Sequence, residues 1–160
     1  LVAAIVKRAP SGGAALVVEV LAEVNGLSAA DLARDITIEL APGERYRTPS
    51  PLVLLKAKLY NLASLVGLDR PQDLKHTRML LLIVPEYLSD VLAGHDLGEV
   101  ELANVVGAVD YAREVVQSGA SRNAADAHRL DLRQIIPASL RRGPTEVQSA
   151  VRRLDEAIGG

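Results

Sequence analysis

The stretch Thr48–Val84, TPSPLVLLKAKLYNLASLVGLDRPQDLKHTRMLLLIV, decides the fold because it predicts two helices joined by a short turn. Pro49 and Pro51 mark the start of the first helix, where the missing amide hydrogen of proline costs nothing. Gly67 ends this helix, since glycine takes the left-handed cap conformation without steric cost, and Pro71 begins the second. One apolar stripe with three- and four-residue spacing runs along the first helix, made of Leu52, Leu55, Leu59, Leu62 and Val66.

Charged residues interrupt this apolar stretch and offer either ion pairs or a binding site. Lys56 and Lys58 lie in the first predicted helix, and Asp73 lies in the first turn of the second, where a carboxylate is favourable. A helical lysine commonly lays its aliphatic part along an apolar stripe and keeps its amine in water. The same amine can bind phosphate as a point charge. Lys58 and Asp73 are also placed to form a structural ion pair across the turn.

Composition limits the class of protein. The chain has 160 residues, 49% of them apolar, with no Trp, no Phe and four Tyr, so the core must be aliphatic. The net charge of −2 argues against a dedicated nucleic-acid binder. The absence of cysteine excludes disulfides and thiolate metal sites and fits a reducing cytosol. No apolar run reaches transmembrane length. We therefore expect a cytoplasmic protein without a membrane partner.

The first fifty residues predict strands. Leu1–Val6 and Leu16–Leu21 are β-type runs that we expect to pair as an antiparallel hairpin. Ile36–Leu40 alternates between apolar and polar residues, which predicts a strand with Thr37 and Glu39 on its solvent-exposed face. We expect Arg45–Thr48 to form a second short strand beside it. Asn25 and Gly26 predict a turn, and the segment Ser28-Ala-Ala-Asp31 after it predicts a capped start for a short helix.

The pattern changes to helix after the second proline and stays helical. Residues 71 to about 91 predict a long helix that Pro85 should kink or split, because proline removes a backbone hydrogen bond and clashes with the preceding turn. We expect Gly94 to end this helix. Further helices are predicted at Glu99–Gln117, Asn123–Leu130 and Thr145–Ile158. The side chains expected to face inward in the last of these are Val147, Val151, Leu154 and Ile158. The predicted fold class is α+β, with a small antiparallel sheet in residues 1–50 and a helical bundle in residues 51–160.

Few residues carry recognisable chemistry. The chain lacks a phosphate-binding glycine loop followed by Lys-Ser or Lys-Thr and lacks a dinucleotide fingerprint. His76, His95 and His128 do not have the spacing of metal ligands, and we place His95 in a loop. Glu19, which lies in a valine-rich strand, is the best candidate for a functional carboxylate. Its carboxylate either faces solvent, which we favour because charged residues are rarely buried unpaired, or joins two further acids to hold Mg²⁺.

The order of these segments resembles the later part of nucleotidyltransferase-fold proteins of the bacterial AbiEii/AbiGii-toxin-like group. The resemblance covers roughly residues 1–93, and the rest resembles the variable helical tail of such proteins. It rests on VVEVL (17–21), NGLSAADL (25–32), ITIEL (36–40), PLVLLKAKLYNL (51–62), RPQD (70–73) and LKHTRMLLLIVPEYL (74–88). Residues 1–50 would then be a partial nucleotidyltransferase-like sheet region.

The resemblance implies a set of site residues. In that fold a Gly-Ser helix start and an Asp-x-Asp strand supply phosphate contacts and two metal-binding acids, and a later strand supplies the third acid. Glu19 matches the third acid, and Lys58 and Asp73 match the basic position and the following acid, so these three would be catalytic. Lys56 would contact the nucleotide. The implied cofactors are Mg²⁺ and a nucleoside triphosphate.

The chain departs from this pattern because no Gly-Ser followed by Asp-x-Asp occurs in its 160 residues. We expect upstream residues before Leu1. If they carry the acid pair, the implied reaction is Mg²⁺-dependent transfer of a nucleoside monophosphate to an unknown acceptor. If not, the chain alone is inactive and the alternative is a non-catalytic helical interaction module of a toxin–antitoxin-type system, with an antitoxin as partner. A cleft that contains both Glu19 and Lys58 would favour the enzyme.

Overall fold

A computed structural model describes the backbone of residues 3–7, 16–20, 24–64 and 71–159, and the side chains of residues 24–39, 41–64 and 71–159. Gly67 and Val66, the predicted end of the first long helix, lie outside the described residues. The fold is α+β, as predicted, with strands at the beginning of the chain and helices after them.

The strands form two separate two-stranded antiparallel sheets in the described residues, where we had expected one sheet. Strands β1 and β2 pair with Ala4 opposite Glu19, which confirms the first hairpin. Strands β3 and β4 pair with Ile36 opposite Thr48, which confirms the second. The bounds of the strands and of the short helix between the hairpins are β1 Ala3–Lys7, β2 Leu16–Val20, α1 Ala29–Leu32, β3 Asp35–Ala41 and β4 Glu44–Pro49.

The second hairpin lies largely in solvent. Thr37 and Glu39 are exposed, as the alternation predicts, but Ile38 on the other side is also exposed, at 36%. The strand therefore has no fully buried face, and its β-branched residues stabilise the pleated backbone more than they build a core. Gly43 takes a positive φ of 82° in the turn that joins the strands, a conformation that glycine adopts without a Cβ penalty.

Helices make up the rest of the described chain, and the apolar stripe of α2 is at their centre. Its Leu52, Leu55, Leu59 and Leu62 are buried, as the spacing predicts. α2 packs against α3, α4 and α5, while α4 packs against α6. The helices are α2 Pro51–Ser64, α3 Pro71–Asp96, α4 Leu102–Gln117, α5 Gly119–His128 and α6 Thr145–Gly159, with short 3₁₀ turns at Leu132–Ile135 and Leu140–Arg142.

Helix α3 differs from the sequence prediction in two ways. Pro85 lies inside it without splitting it, and the helix continues past Gly94 to Asp96. His95 is therefore in the last helical turn and not in a loop, so that prediction was wrong; its Nδ1 lies 3.0 Å from the carbonyl oxygen of Val100. Gly98, with a φ of 76°, is the glycine that follows the helix end. Gly94 instead leaves room for Val100, whose Cγ2 would lie 2.8 Å from an added Cβ.

The core confirms the aliphatic prediction. Its buried members in the described residues are Leu, Val, Ile and Ala, with Tyr111 as the one aromatic residue. The inward face of α6 agrees with its predicted stripe, since Val147, Val151 and Leu154 are buried and Ile158 is partly buried against the core.

Candidate functional site

The most densely connected polar group in the described residues is the carboxylate of Asp31, which is 4% exposed. Asp31 lies in α1, where Ser28 caps the helix, as predicted, and the two residues form a reciprocal capping pair. The backbone amide and the hydroxyl of Ser28 each donate to Oδ2 of Asp31 at 2.7 Å. These local bonds fix the carboxylate so that its other lone pairs face the helices.

Two side chains from the helical region donate to the same carboxylate. Lys56 of α2 places Nζ 2.8 Å from both oxygens of Asp31, and the hydroxyl of Tyr111 of α4 donates to Oδ1 at 2.6 Å. Three elements that are distant in sequence therefore meet at one charge. We call Asp31, Lys56 and Tyr111 the buried triad.

Proton affinities in the buried triad follow from these contacts. Burial alone would raise the pKa of Asp31, but hydrogen bonds from Lys56, Tyr111 and Ser28 outweigh it and hold that pKa well below its usual range. Burial raises the pKa of Tyr111, and its hydrogen bond to the Asp31 carboxylate raises it further. The triad thus holds a carboxylate and a neutral phenol, an arrangement suited to structure because neither group gains or loses a proton near neutral pH.

A small cleft opens beside the triad. The guanidinium of Arg34 stacks over the Tyr111 ring, 4.2 Å from its centroid. The cleft has a volume of about 180 Å³ and is lined by Arg34, Ser50, Tyr87, Asn104 and Tyr111, among others. Burial raises the pKa of Tyr87, a shift that a hydrogen bond with Ser50 opposes. Ligand pockets usually exceed about 300 Å³, so this cleft is small for a nucleotide.

Lys58 and Asp73 form another ion pair of α2 and confirm the predicted contact across the turn. Nζ of Lys58 lies 2.7 Å from Oδ1 of Asp73. Asp73 is 8% exposed and Lys58 is partly exposed. The pair joins the middle of α2 to the first turn of α3, which brings together two of the three predicted catalytic residues.

Glu19, the third predicted catalytic residue, lies in β2 opposite Ala4 of β1. Its side chain is outside the described residues, so the proposed cleft between Glu19 and Lys58 stays a prediction. Among the side chains that are described, no group of three or more His, Asp and Glu is arranged to hold a metal ion. None of the helices in the described residues is long and apolar enough to cross a membrane.

The sequence indicated only part of this site. It placed Asp31 as a helix-capping residue and Lys56 as a possible phosphate ligand, without joining them. Tyr111 and Arg34 were missed, because a contact between residues eighty positions apart leaves no signal in local spacing. The hydroxyl-bearing Tyr111 among the valines of α4 was the available hint, since a buried tyrosine usually finds a hydrogen-bond partner.

Comparison with known proteins gave no match for this chain, whether against protein-family models, curated proteins or solved structures. The resemblance to the AbiEii/AbiGii-toxin-like group therefore stays a prediction from the residues that carry it.

Proposed function

We propose that this chain is a non-catalytic helical interaction module. The observation that supports the proposal is that the two lysines expected to bind phosphate are both engaged within the fold. Lys56 pairs with Asp31 at 2.8 Å, and Lys58 pairs with Asp73 at 2.7 Å. A triphosphate at either lysine would have to displace a carboxylate that is itself largely buried, and an unpaired buried charge is costly.

The two ion pairs also have a positive role in this proposal. The pair of Lys56 and Asp31 attaches α1 to α2, and the pair of Lys58 and Asp73 attaches α2 to α3. Both therefore hold helices in fixed relative positions, which is what a rigid docking surface needs. The resemblance implies that the partner is an antitoxin-like protein, and the cysteine-free composition fits a cytoplasmic setting.

Nucleotidyl transfer is the competing function, and a nucleotide-binding experiment distinguishes it from an interaction module. Mg²⁺ with ATP, GTP, CTP or UTP would be titrated into the full chain by calorimetry, and the unfolding temperature would be followed with the same ligands. We expect no saturable heat and no stabilisation. Saturable, Mg²⁺-dependent binding that Glu19→Gln and Lys58→Met each abolish would overturn the proposal.

Matched variants make this experiment specific. Glu39→Gln removes an exposed strand carboxylate that accepts hydrogen bonds from Arg45 and from the backbone amide of Gly43, so it should not affect nucleotide binding in either case. Lys56→Met should lower stability without any ligand present, because it leaves Asp31 without its cation. A loss of nucleotide affinity in Lys56→Met with unchanged stability would instead assign this lysine to a binding site.

A further inference from the structure

One side of α3 is exposed along most of the helix and has an apolar centre. Met79, Leu82 and Ile83 are 48%, 69% and 44% exposed. Their three- and four-residue spacing places them on the same side of the helix, opposite the buried Leu81, Val84 and Leu88. Scattered exposed apolar residues need no explanation, but neighbouring ones on a single helix face form a patch of the kind found at interaction sites.

Charge is sorted along the same side of the helix. Lys75 and Arg78 precede the apolar centre, whereas Glu86 and Asp90 follow it, and all four are exposed. We call these four residues together with Met79, Leu82 and Ile83 the α3 face. No ion pair within the described residues involves any of the four charges. Like charges three or four positions apart on a helix destabilise it. Cationic side chains of a binding partner would therefore stabilise Glu86 and Asp90.

We infer that the α3 face binds the α3 face of a second copy of this chain, with the two helices antiparallel. A two-fold axis between Leu82 and Ile83 places Lys75 of each copy opposite Asp90 of the other, because both are equally far from that axis. Arg78 falls beside Glu86 of the other copy, and the apolar residues meet at the centre. A parallel pairing would put like charges opposite each other, so charge complementarity selects the antiparallel dimer.

The length of the α3 face limits the area that a dimer can bury. Lys75 and Asp90 are about 22 Å apart along the helix axis, at about 1.5 Å per residue. A pair of helices in contact over this length lies at the low end of stable interfaces, which is about 1,200 Å² of buried surface. We expect a dissociation constant on the order of micromolar that rises with salt. The inference rests on the proposed function, since it names the surface and the partner of the interaction module.

Sedimentation equilibrium of the full chain over a range of concentrations tests the dimer. We expect the wild type to dimerise and Leu82→Gln to weaken dimerisation by about tenfold or more, since this side chain lies at the centre of the interface. Leu97→Gln is the matched control: Leu97 is 74% exposed but follows the end of α3, outside the face. It should dimerise like the wild type.

Charge exchange tests the antiparallel register. Lys75→Glu alone and Asp90→Lys alone should each weaken dimerisation, because each creates two like-charge pairs across the two-fold axis. Combining both substitutions in one chain should restore it. Mixing the two single variants should also restore it, as a heterodimer with every pair complementary. These residues are exposed, so circular dichroism should show an unchanged fold.

Two results would overturn the inference. A wild type that stays monomeric well above micromolar concentration would assign the face to a different protein. A dimer that persists in Leu82→Gln and in both single charge variants would place the contact elsewhere on the chain. Neither result depends on nucleotide binding, so a monomer that also ignores Mg²⁺ and nucleotides would refute the dimer and leave the proposed function standing.

Discussion

Asp31 connects parts of the chain that lie far apart in sequence. It joins the capped turn at Ser28 to α2 through Lys56 and to α4 through Tyr111. A buried carboxylate is costly unless its lone pairs are satisfied, and here five hydrogen bonds reach its two oxygens. The role of this residue in the fold depends on all of them together.

Removing the charge of Asp31 should therefore destabilise the protein. Asp31→Asn leaves Lys56 beside a neutral amide, and we expect the free energy of unfolding to fall by roughly 2–4 kcal/mol. Urea denaturation followed by circular dichroism measures the change. The double variant Asp31→Asn with Lys56→Met should recover part of the loss, because it removes the orphaned ammonium. A double variant whose loss equals the sum of the two single losses would contradict the coupling.

The lowered pKa of Asp31 predicts how stability depends on acidity. A carboxyl with a lower pKa in the folded state contributes stability above its unfolded pKa of about 3.9, and that contribution is lost as the pH falls toward the folded pKa. The difference in unfolding free energy between the wild type and Asp31→Asn should be constant from about pH 7 to pH 5 and shrink below about pH 4. A difference that does not change in acid would show that Asp31 is not the group responsible.

The raised pKa of Tyr111 predicts that stability falls as the pH rises into the alkaline range. Its raised pKa means that the neutral phenol is favoured by the fold, so this contribution is complete below the unfolded pKa of about 10 and is lost as the pH rises through the folded pKa. The tyrosinate absorbance of the wild type minus that of Tyr111→Phe isolates this residue. We expect it to ionise only as the protein unfolds. Ionisation near pH 10 in a folded protein would contradict the contact with Asp31.

Turns and helix ends show which features of an element can be predicted from local sequence spacing and which depend on packing. The turn at Asn25 and Gly26 was predicted, but its packing was not: a Cβ on Gly26 would lie 2.3 Å from Cγ of Tyr60 on α2. The glycine is therefore required for its contact as well as for its φ of 78°. Gly43 has the same backbone conformation with nothing within 4 Å of an added Cβ.

These two glycines make a matched pair. Gly43→Ala should cost only the backbone strain of the left-handed conformation, about 1–2 kcal/mol. Gly26→Ala should cost clearly more, because Tyr60 must also move away and separate the turn from α2. Thermal or urea unfolding of the two variants measures the difference. Equal losses would mean that the contact between Gly26 and Tyr60 contributes nothing to stability.

Element types were predictable where a period repeats over several turns, as in α2 and α6. Boundaries were less so, because they depend on contacts distant in sequence. Gly94 looked like a helix end but is a helical residue that admits Val100. The buried triad could not be predicted at all beyond its cap, since Lys56 and Tyr111 reach Asp31 only after the helices assemble. The nucleotidyltransferase role of Glu19 stays a prediction for the same reason, because it depends on which side chains the fold places around this residue.

The described residues divide into a helical core and the strands β3 and β4, none of whose described side chains is fully buried. In the described residues the strands β1 and β2 pair with each other, and neither has an extensive contact with another element. The helices α2, α3, α4 and α6 instead bury the apolar side chains of the core together. Most of the folding free energy should therefore come from the helices, since it depends chiefly on apolar area removed from water.

This division predicts that the first hairpin is dispensable for stability. A chain of residues 24–159 should unfold cooperatively, with a midpoint within about 3 °C of the full chain, a shift that corresponds to about 1 kcal/mol. Removing α6 is the control, because its buried Val147, Ala150, Val151 and Leu154 complete the core. Burying each larger apolar side chain contributes about 1.5–3 kcal/mol, against a total stability of about 5–15 kcal/mol, so the chain without α6 should not fold. Calorimetry of the chain without the hairpin and of the chain without α6 measures whether each has an unfolding transition. If losing the hairpin abolishes the transition as losing α6 does, β1 and β2 are part of the folding unit that the helices form.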